Sequence, residues 1–441
     1  MPSLGFFLAK KRGRSNFETE AREKSRITFL ELSAIGNQGD NMTVLSNRVM
    51  NVKPSSTLAV NAKAKALKAA GADVVSFGAG EPDFSTPENI IEAACYALHH
   101  GATRYEATPG TVQARQAVVD YFKKRFDRDI NTKNVIISTG AKLALFLSFL
   151  TLVNPGDEVL LPSPYWVSYP EHIKLAGGVV KVIETDPNNN FKVTPEQLEA
   201  AITPKSRVFL LCSPSNPAGI SYTPDEIKAL ANVIAKHPQL FVISDEIYER
   251  LTYADYPFLS FACANPELSE RVVTINGVSK AYAMTGWRIG YAVASEQIIA
   301  GMTKLQSQMT SNITASNFAA LIEALHGPQD SVTNMVKEFA KRAAHIYERI
   351  MEIPHIKCPR PTGAFYAFPD VSAYFGKKDP QGRQINSAHE LAESLLDNVQ
   401  VAVVPGEDFG APNHIRLSFA TSMELIDKGL DRISSYMASL K

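Results

Sequence analysis

Short apolar runs alternate with longer helical patterns through most of this chain of 441 residues. The length of each run separates the two kinds of element, because buried strands are short whereas helices need ten residues or more. Helices are predicted at residues 88–99, 111–126, 143–152, 224–236 and 295–308, and strands at 158–161, 207–212, 240–244, 272–275 and 289–292. The alternation predicts an α/β fold in which helices cover both faces of a mostly parallel sheet.

The pattern changes after Gly327-Pro328, where one long helical pattern covers residues 331–351. Strands are predicted beyond it at 364–368, 399–404 and 415–420, together with a helix near 388–396 and a closing helix. This part of the chain therefore predicts a second region of mixed α and β structure. A chain of this length, with 45% apolar residues, suits two domains.

Composition excludes several functional classes. Forty-five basic and 45 acidic residues give a formal net charge of zero, which lacks the electrostatic signature of nucleic-acid binding. No apolar stretch is long enough to span a membrane, and the nine histidines show no metal-ligand spacing. No Gly-x-Gly-x-x-Gly follows the first strand, which argues against a nicotinamide dehydrogenase. Four separated cysteines predict free thiols in a reducing compartment and hence a cytoplasmic protein: Cys95, Cys212, Cys263 and Cys358.

One short motif, after the strand at 272–275, contains both a lysine and an arginine. Ser279-Lys280 is followed by Gly286-Trp287-Arg288-Ile289-Gly290. The pKa of a lysine amine falls when it is buried, so that it can attack a carbonyl carbon. An arginine offers a planar fork that pairs with phosphate oxygens at two points. The motif predicts a covalent site for a phosphorylated aldehyde, and the alternative is a surface lysine beside a core tryptophan.

Two polar side chains stand at the end of the strand predicted at 240–244. Asp245 follows the apolar run directly, and Tyr248 comes three residues later. Ligands of open α/β sheets bind at the carboxyl ends of the strands. Asp245 is therefore a candidate ligand-binding acid, with a helix N-cap followed by the first-turn acid Glu246 as the alternative.

A second anion-binding element is predicted where the run at 135–138 meets Thr139-Gly140-Ala141-Lys142. Small residues at the start of a helix leave backbone N–H groups free to bind an anion. The turn is weak evidence by itself. Lys142 is less ordinary, because a charged residue opens an otherwise apolar helix.

These motifs resemble the class I pyridoxal-phosphate-dependent aminotransferases of fold type I. The resemblance covers roughly residues 44–440, and it is similar in detail to the aspartate aminotransferase branch that includes the bifunctional aspartate/prephenate enzymes. It implies a large domain with a mostly parallel seven-stranded sheet over residues 86–327, and a smaller α/β domain from 42–85 and 328–441. Further motifs that carry it are Lys53-Pro54-Ser55-Ser56-Thr57, Gly78-Ala79-Gly80-Glu81-Pro82-Asp83-Phe84, Ser163-Pro164-Tyr165-Trp166-Val167-Ser168-Tyr169, Ser213-Pro214-Ser215-Asn216-Pro217-Ala218-Gly219 and Ile415-Arg416-Leu417-Ser418.

The resemblance implies how pyridoxal 5′-phosphate would be held. Lys280 would bond the cofactor aldehyde and later act as the catalytic base, while Asp245 would face the pyridine nitrogen. Tyr248 and Asn216 would meet the phenolic oxygen, and Trp166 would stack on the ring. Asn216 can also be read as part of a turn, and Trp166 as a core aromatic. The remaining cofactor contacts that the family implies are Arg288, Ser279, Gly140, Ala141, Lys142 and, across a dimer interface, Tyr105.

The family also implies a substrate site. Arg416 would pair with the α-carboxylate, although an arginine in an alternating strand can instead protect a sheet edge from aggregation. The backbone of Gly80 would approach the substrate, at a place where any side chain would collide. A distal carboxylate would meet Lys142, helped by Ser55 and Thr57 from the other subunit. The other substrate-binding residues implied are Trp166, Asn216 and Lys53.

The expected activity is transfer of the amino group between L-aspartate or L-glutamate and 2-oxo acids by a ping-pong mechanism, in a homodimer. Thr57 and Lys142 together extend the hypothesis to prephenate and to a role in amino-acid biosynthesis. The alternatives are an aminotransferase for alanine, aromatic or N-succinyl amino acids, and a non-catalytic regulator that binds the same cofactor. Residues 1–41 lie outside the family pattern and are expected to be a disordered extension or a mis-called start, with translation beginning at Met42.

Overall fold

The computed structural model describes residues 44–54 and 56–441. Residues 44–51 belong to a unit of their own, which contains one short helix, and the chain from Val52 forms a second unit. The expected extension over residues 1–41, its boundary at Met42, and Ser55 lie outside the described residues.

The strands of the second unit fall into one large sheet and two small ones. In chain order they are β1 Val75–Ser76, β2 Val135–Thr139, β3 Glu158–Pro162, β4 Val179–Ile183, β5 Ser206–Cys212, β6 Phe241–Asp245, β7 Val272–Gly277, β8 Ile289–Val293, β9 Tyr366–Ala367, β10 Val401–Ala402, β11 Val404–Pro405 and β12 Ile415–Ser418.

The α-helices follow the same chain order, beginning with the short helix of the first unit. They are α1 Asn47–Met50, α2 Ser56–Ala69, α3 Glu88–His99, α4 Val112–Phe126, α5 Gly140–Leu152, α6 Ser168–Leu175, α7 Pro195–Ala201, α8 Pro224–Ala235, α9 Glu296–Met309, α10 Ser316–His326, α11 Asp330–Met351, α12 Ala388–Val399 and α13 Met423–Ser439.

The large sheet has seven strands in the order β2-β8-β7-β6-β5-β3-β4. β8 is antiparallel to both of its neighbours, and the other pairs are parallel. The predicted mostly parallel seven-stranded sheet is therefore confirmed. Its central strands are buried on both faces, as a sheet with helices on each side requires.

Helix α5 connects this sheet to the outer layer. Its sequence is apolar almost throughout, and it packs against β8 on one side and α9 on the other. A helix that is apolar all round is stable only when it is buried in this way. Its first turn is thereby held at the edge of the sheet where β2 ends.

The two small sheets lie in the C-terminal part of the fold. β1 pairs with β10 in parallel, so that residues 75–76 join the C-terminal region. The other sheet is antiparallel in the order β11-β12-β9, with β12 in its centre. Its apolar core is shared with α11, α12 and α13, and includes Phe77, Phe339, Phe365, Leu417 and Ile433.

Several predicted boundaries are wrong. α5 begins at Gly140 rather than at residue 143, and only Tyr366–Ala367 of the strand predicted at 364–368 forms a strand. α12 runs to Val399 and ends because Gln400 adopts the left-handed conformation with φ 56°. The predicted strand 399–404 instead forms two short strands, β10 and β11, with Val403 between them. The pattern missed α1, α2, α6, α7, α10, β1 and β4. α2 consists mostly of Ala and Lys, so its apolar stripe is faint. Among the described helices, none is long and apolar enough to cross a membrane.

Close packing of α13 on β1 depends on Gly429. A Cβ atom built there would overlap the ring of Phe77 and lie 2.9 Å from Cγ1 of Val75. Overpacking a core costs about 1–3 kcal/mol, and alanine gains roughly 1 kcal/mol of helix propensity over glycine. Because the overlap with the Phe77 ring is severe, we predict that Gly429→Ala lowers the free energy of unfolding by about 2 kcal/mol.

Urea unfolding followed by circular dichroism measures the change. Gly286→Ala is the matched control, because nothing lies within 4 Å of a Cβ atom there. A Gly429→Ala protein as stable as the wild type would show that α13 and β1 are not in this close contact.

Candidate active site

A cavity of about 360 Å³ opens where the carboxyl ends of the parallel strands meet the antiparallel sheet. Asp245 ends β6, and Lys280 follows β7 after a short loop, while β12 contributes Arg416 from the other side. The cavity brings together most of the residues that the sequence singled out: Thr57, Gly80, Ala141, Lys142, Trp166, Asn216, Asp245, Tyr248, Ser279, Lys280, Arg288 and Arg416.

The amine of Lys280 donates a hydrogen bond to the carbonyl of Gly80. Burial lowers the pKa of Lys280 to about 8; the nearby Glu81 carboxylate opposes this shift, and the guanidinium groups of Arg416 and Arg288 add to it. Because this pKa is near neutrality, a useful fraction of the amine is uncharged at physiological pH and can act as a nucleophile or base.

Asp245 is buried at the carboxyl end of β6. The hydroxyl of Tyr169 donates to its Oδ2 at 2.7 Å, and the backbone N–H of Ile247 donates to Oδ1 at 3.2 Å. Burial raises the pKa of Asp245 to about 6, and these two hydrogen bonds and the charge of Lys280 limit the rise. The carboxylate is consequently ionised at neutral pH inside a nearly dry site.

Arg416 is 1% exposed on the central strand of its sheet, so it is not an edge-strand residue. Its Nη1 donates to Oδ1 of Asn216 at 2.9 Å, and its Nη2 donates to the carbonyl of Gly78 at 3.2 Å. The guanidinium carbon lies 4.5 Å from the ring centroid of Tyr366, while Nε has no partner among the described residues. Among the described residues no acidic side chain forms a salt bridge with Arg416, so its guanidinium can bind a carboxylate ligand.

Two phenols stand beside this arginine. The hydroxyls of Tyr248 and Tyr366 are 3.0 Å apart, and both side chains are buried. Each hydroxyl therefore holds the other in place at the wall of the cavity. Asn216, with its side chain fixed by Arg416, lines the same cavity.

The start of α5 and Arg288 also line the cavity. Gly140 has φ 76°, and a Cβ atom there would lie 2.5 Å from Nη2 of Arg288. A Cβ atom at Gly290 would overlap the backbone N of Ala141, so β8 passes directly under this helix start. Free backbone N–H groups beside a guanidinium are the features of a phosphate site.

Lys142 extends the cavity on the side of Trp166. Its Nζ lies 4.8 Å from the centroid of the indole ring, and burial lowers the pKa of Lys142, with a further contribution from Arg288. The hydroxyl of Thr57 is buried without a partner among the described residues. A cation and a hydroxyl without a partner among the described residues therefore line the same cavity as Arg416.

Three predicted residues do not line this cavity, and a fourth, Ser55, is outside the described residues. Gly140 is not a lining residue, although its neighbour Ala141 is. Lys53 lines an adjoining cavity of about 330 Å³, which Lys142 shares. Tyr105 is 90% exposed on the surface and contributes nothing to the site of its own chain.

One implied detail needs correction. Thr57 was expected from the other subunit, but it lines the cavity of its own chain, because α2 begins at Ser56 and its first turn faces the cavity. The collision expected at Gly80 involves a bound substrate and stays a prediction. Within the protein a Cβ atom there would lie 3.7 Å from the Tyr366 hydroxyl, an ordinary contact.

Sequence reasoning assigned no role to six other lining residues. Tyr169 is the most consequential, since it donates to Asp245, and its position three residues after Trp166 in the same motif was an available signal. Tyr366 gave no such signal, because it lies inside a short apolar run. The others are Leu145, Cys212, Ile247 and Thr285.

Comparison with known proteins agrees with this geometry. Residues 72–433 match the family described as aminotransferase class I and II. The chain is 45% identical to an aspartate aminotransferase of Bacillus sp. (strain YM-2), over 89% of this chain and 99% of the relative. It is 43% identical to a probable aspartate/prephenate aminotransferase of Rhizobium leguminosarum bv. phaseoli, over 91% of this chain and all of the relative.

A solved structure extends the comparison to the fold. The aspartate aminotransferase from Thermus thermophilus with maleate superposes with a TM-score of 0.83 at 40% identity, over 90% of this chain and all of that one. Sequence, fold and site geometry lead to the same assignment. The protein belongs to the class I and II aminotransferases.

Proposed function

We propose that this aminotransferase uses pyridoxal 5′-phosphate to move the amino group between L-aspartate or L-glutamate and 2-oxo acids. One observation carries the proposal: a single cavity contains a lysine with a lowered pKa, a buried carboxylate, a phosphate-type site and a buried arginine with no acidic partner among the described residues. The proposal is supported by relatives named aspartate aminotransferase, which this chain matches over almost their whole length.

The chain's own atoms fit the cofactor. The start of α5 and Arg288 would hold the phosphate, because a glycine at 140 is what allows the guanidinium to approach the helix start. Trp166 would lie on one face of the ring, and Asp245 would meet the pyridine nitrogen. Tyr248 and Asn216 would bind the phenolic oxygen. When bound, the cofactor supplies an aldehyde and a ring that accepts electrons from the substrate Cα.

Lys280 would first attach to that aldehyde and, once displaced by the substrate amine, would carry the proton between Cα and the cofactor. A base for this step needs a pKa near the working pH, and the pKa of Lys280 is about 8. Asp245 would keep its negative charge while facing a protonated ring nitrogen, since Tyr169 and the Ile247 amide stabilise the carboxylate. The amino group would then leave with a second substrate, in a ping-pong sequence.

The substrate would span the cavity between two cations. Arg416 would bind the α-carboxylate, and Lys142, with Thr57 beside the same cavity, would bind the distal carboxylate. Two separated cationic positions favour a dicarboxylate over alanine. Prephenate is also a dicarboxylate, and relatives named aspartate/prephenate aminotransferase favour it as a second substrate.

The proposal includes an assembly and a domain division. A large cofactor-binding domain would span residues 86–327, and a smaller domain would combine 42–85 with 328–441, as the β1–β10 pair favours. The exposed Tyr105 would contribute to the phosphate site of a second copy in a homodimer.

The proposed function predicts turnover of L-aspartate and L-glutamate, each at least about tenfold more efficiently than L-alanine, because a charged pairing contributes about 1.5–3 kcal/mol. Purified protein supplied with cofactor would be assayed with each donor, and with 2-oxoglutarate, oxaloacetate and prephenate as acceptors. Lys280→Ala is the negative control. Exclusive use of alanine or aromatic donors would refute the dicarboxylate assignment, and inert prephenate would remove the second substrate.

Replacing Lys142 should reduce activity with aspartate selectively. In Lys142→Met, we expect kcat/KM for aspartate to fall about 10- to 100-fold, because a charge-assisted hydrogen bond worth about 1.5–3 kcal/mol is lost. Activity with alanine, which has no distal carboxylate, should change little. Lys174→Met, in the adjoining cavity, is the matched control. An equal fall for both donors would show that Lys142 supports the cofactor instead.

The raised pKa of Asp245 should make the stability of the cofactor-free protein depend on pH. Its pKa is about 6 when folded, against an ordinary value of 3.8, so the folded state binds more protons between these limits. The contribution of protonated Asp245 to the free energy of unfolding is fully present below pH 3.8 and is lost as the pH rises through 6. It amounts to about 3 kcal/mol, because a difference of one pH unit between the folded and unfolded pKa values is worth about 1.4 kcal/mol.

The unfolding free energy of wild type minus that of Asp245→Asn should therefore fall across this window and stay constant above about pH 7. Urea unfolding at each pH measures both values. A flat difference would contradict the burial of this charge.

A further inference from the structure

The segment of residues 78–86 is tied to the loop that follows Lys280. The hydroxyl of Thr285 donates to Oε2 of Glu81 at 2.7 Å, next to the bond from the Lys280 amine to the Gly80 carbonyl. Two neighbouring residues of one segment thus bind two positions of the same loop. The carboxylate of Glu81 is held in place although its side chain is exposed.

Two further hydrogen bonds make this connection rigid. Thr86 donates to the carbonyl of Ala283 at 2.8 Å, and Nε1 of Trp287 donates to the Thr86 hydroxyl at 3.0 Å. The position of Glu81 relative to Lys280 therefore does not depend on one contact.

Four charged groups act on the Lys280 amine. Arg288 and Arg416 disfavour its protonated form, whereas Glu81 and Asp245 favour it. The ring centroids of Tyr248 and Phe365 lie 6.0 and 5.8 Å from the Lys280 amine. The Asp245 carboxylate already accepts hydrogen bonds from Tyr169 and from the Ile247 amide. Glu81 is the acid that the segment itself adds to this balance.

We propose that Glu81 is a positioning residue for transamination, and that its carboxylate, held by Thr285, determines how readily Lys280 gives up its proton. The inference rests on the proposed function, in which Lys280 is the reacting amine. With Glu81, two anions oppose two cations around the amine; without it, one anion faces two guanidinium groups. Glu81 would thus keep the amine from losing its proton at too low a pH.

The test measures the amine itself. Full-length protein freed of cofactor is pulse-labelled with acetic anhydride, which acylates only neutral amines, and the Lys280 peptide is quantified by mass spectrometry between about pH 6 and 10. For wild type, we expect a midpoint near 8. In Glu81→Gln, the midpoint should fall by about half a pH unit or more, which makes labelling at about pH 7 roughly threefold faster.

Three variants separate the charge from a structural effect. Glu81→Asp retains the charge and should have a midpoint within about 0.2 pH units of wild type, and Thr285→Val should move the midpoint in the same direction as Glu81→Gln but less. Glu348→Gln, an acid on α11, should leave the midpoint unchanged. An unchanged midpoint in Glu81→Gln, or equal changes in the Gln and Asp variants, would overturn the proposal.

The labelling needs no turnover, so its result is independent of the proposed function. A lowered midpoint in a protein that fails to transaminate would count against the function and leave the effect of Glu81 standing. If the enzyme is active and the midpoint of Lys280 labelling is the same in Glu81→Gln as in wild type, the proposed function stands and the role of Glu81 is refuted.

Discussion

The buried guanidinium of Arg416 is the constraint around which the site is organised. A cation removed from water is costly unless its hydrogens find acceptors, and the desolvation lowers the pKa of Arg416. The acceptors come from two distant parts of the chain, Asn216 after β5 and the carbonyl of Gly78 after β1. The two sheets must therefore meet at one place for Arg416 to be tolerated, and the cavity lies at that meeting.

The remaining site residues follow from sheet geometry. Parallel strands present their carboxyl ends along one edge, so that Asp245 and the loops after β5 and β7 face the same cavity without any special loop design. The antiparallel β8 then returns beneath the start of α5, where glycines at 140 and 290 allow backbone and guanidinium to approach. The features of a phosphate site and Lys280 thus come to one cavity for topological reasons.

The sequence predicted the parts of the site whose chemistry is local. Lys280 and Arg288 stand in one motif, and Asp245 directly ends an apolar run, so all three were found from neighbouring residues. Placing Asn216 and Arg416 in the site required the family resemblance. Tyr169 was missed as a partner of Asp245 because the two are 76 positions apart and meet only after folding. The same limit explains Thr57, whose assignment to a second subunit could not be tested until α2 was placed over its own cavity. Boundaries failed where backbone conformation decides, as at Gln400.

The opposite pKa changes of Lys280 and Asp245 have one cause and different consequences. Burial disfavours charge in both groups, which lowers the pKa of the lysine to about 8 and raises that of the carboxyl to about 6. Neutral pH lies between the two values, so Asp245 is ionised while part of the Lys280 population is neutral. Stronger burial would reverse this order and place a neutral acid beside a neutral amine, which could neither stabilise a protonated ring nor direct a proton. The hydrogen bonds from Tyr169 and the Ile247 amide, with charges such as Glu81 near the amine, keep the two pKa values on the useful sides of neutrality.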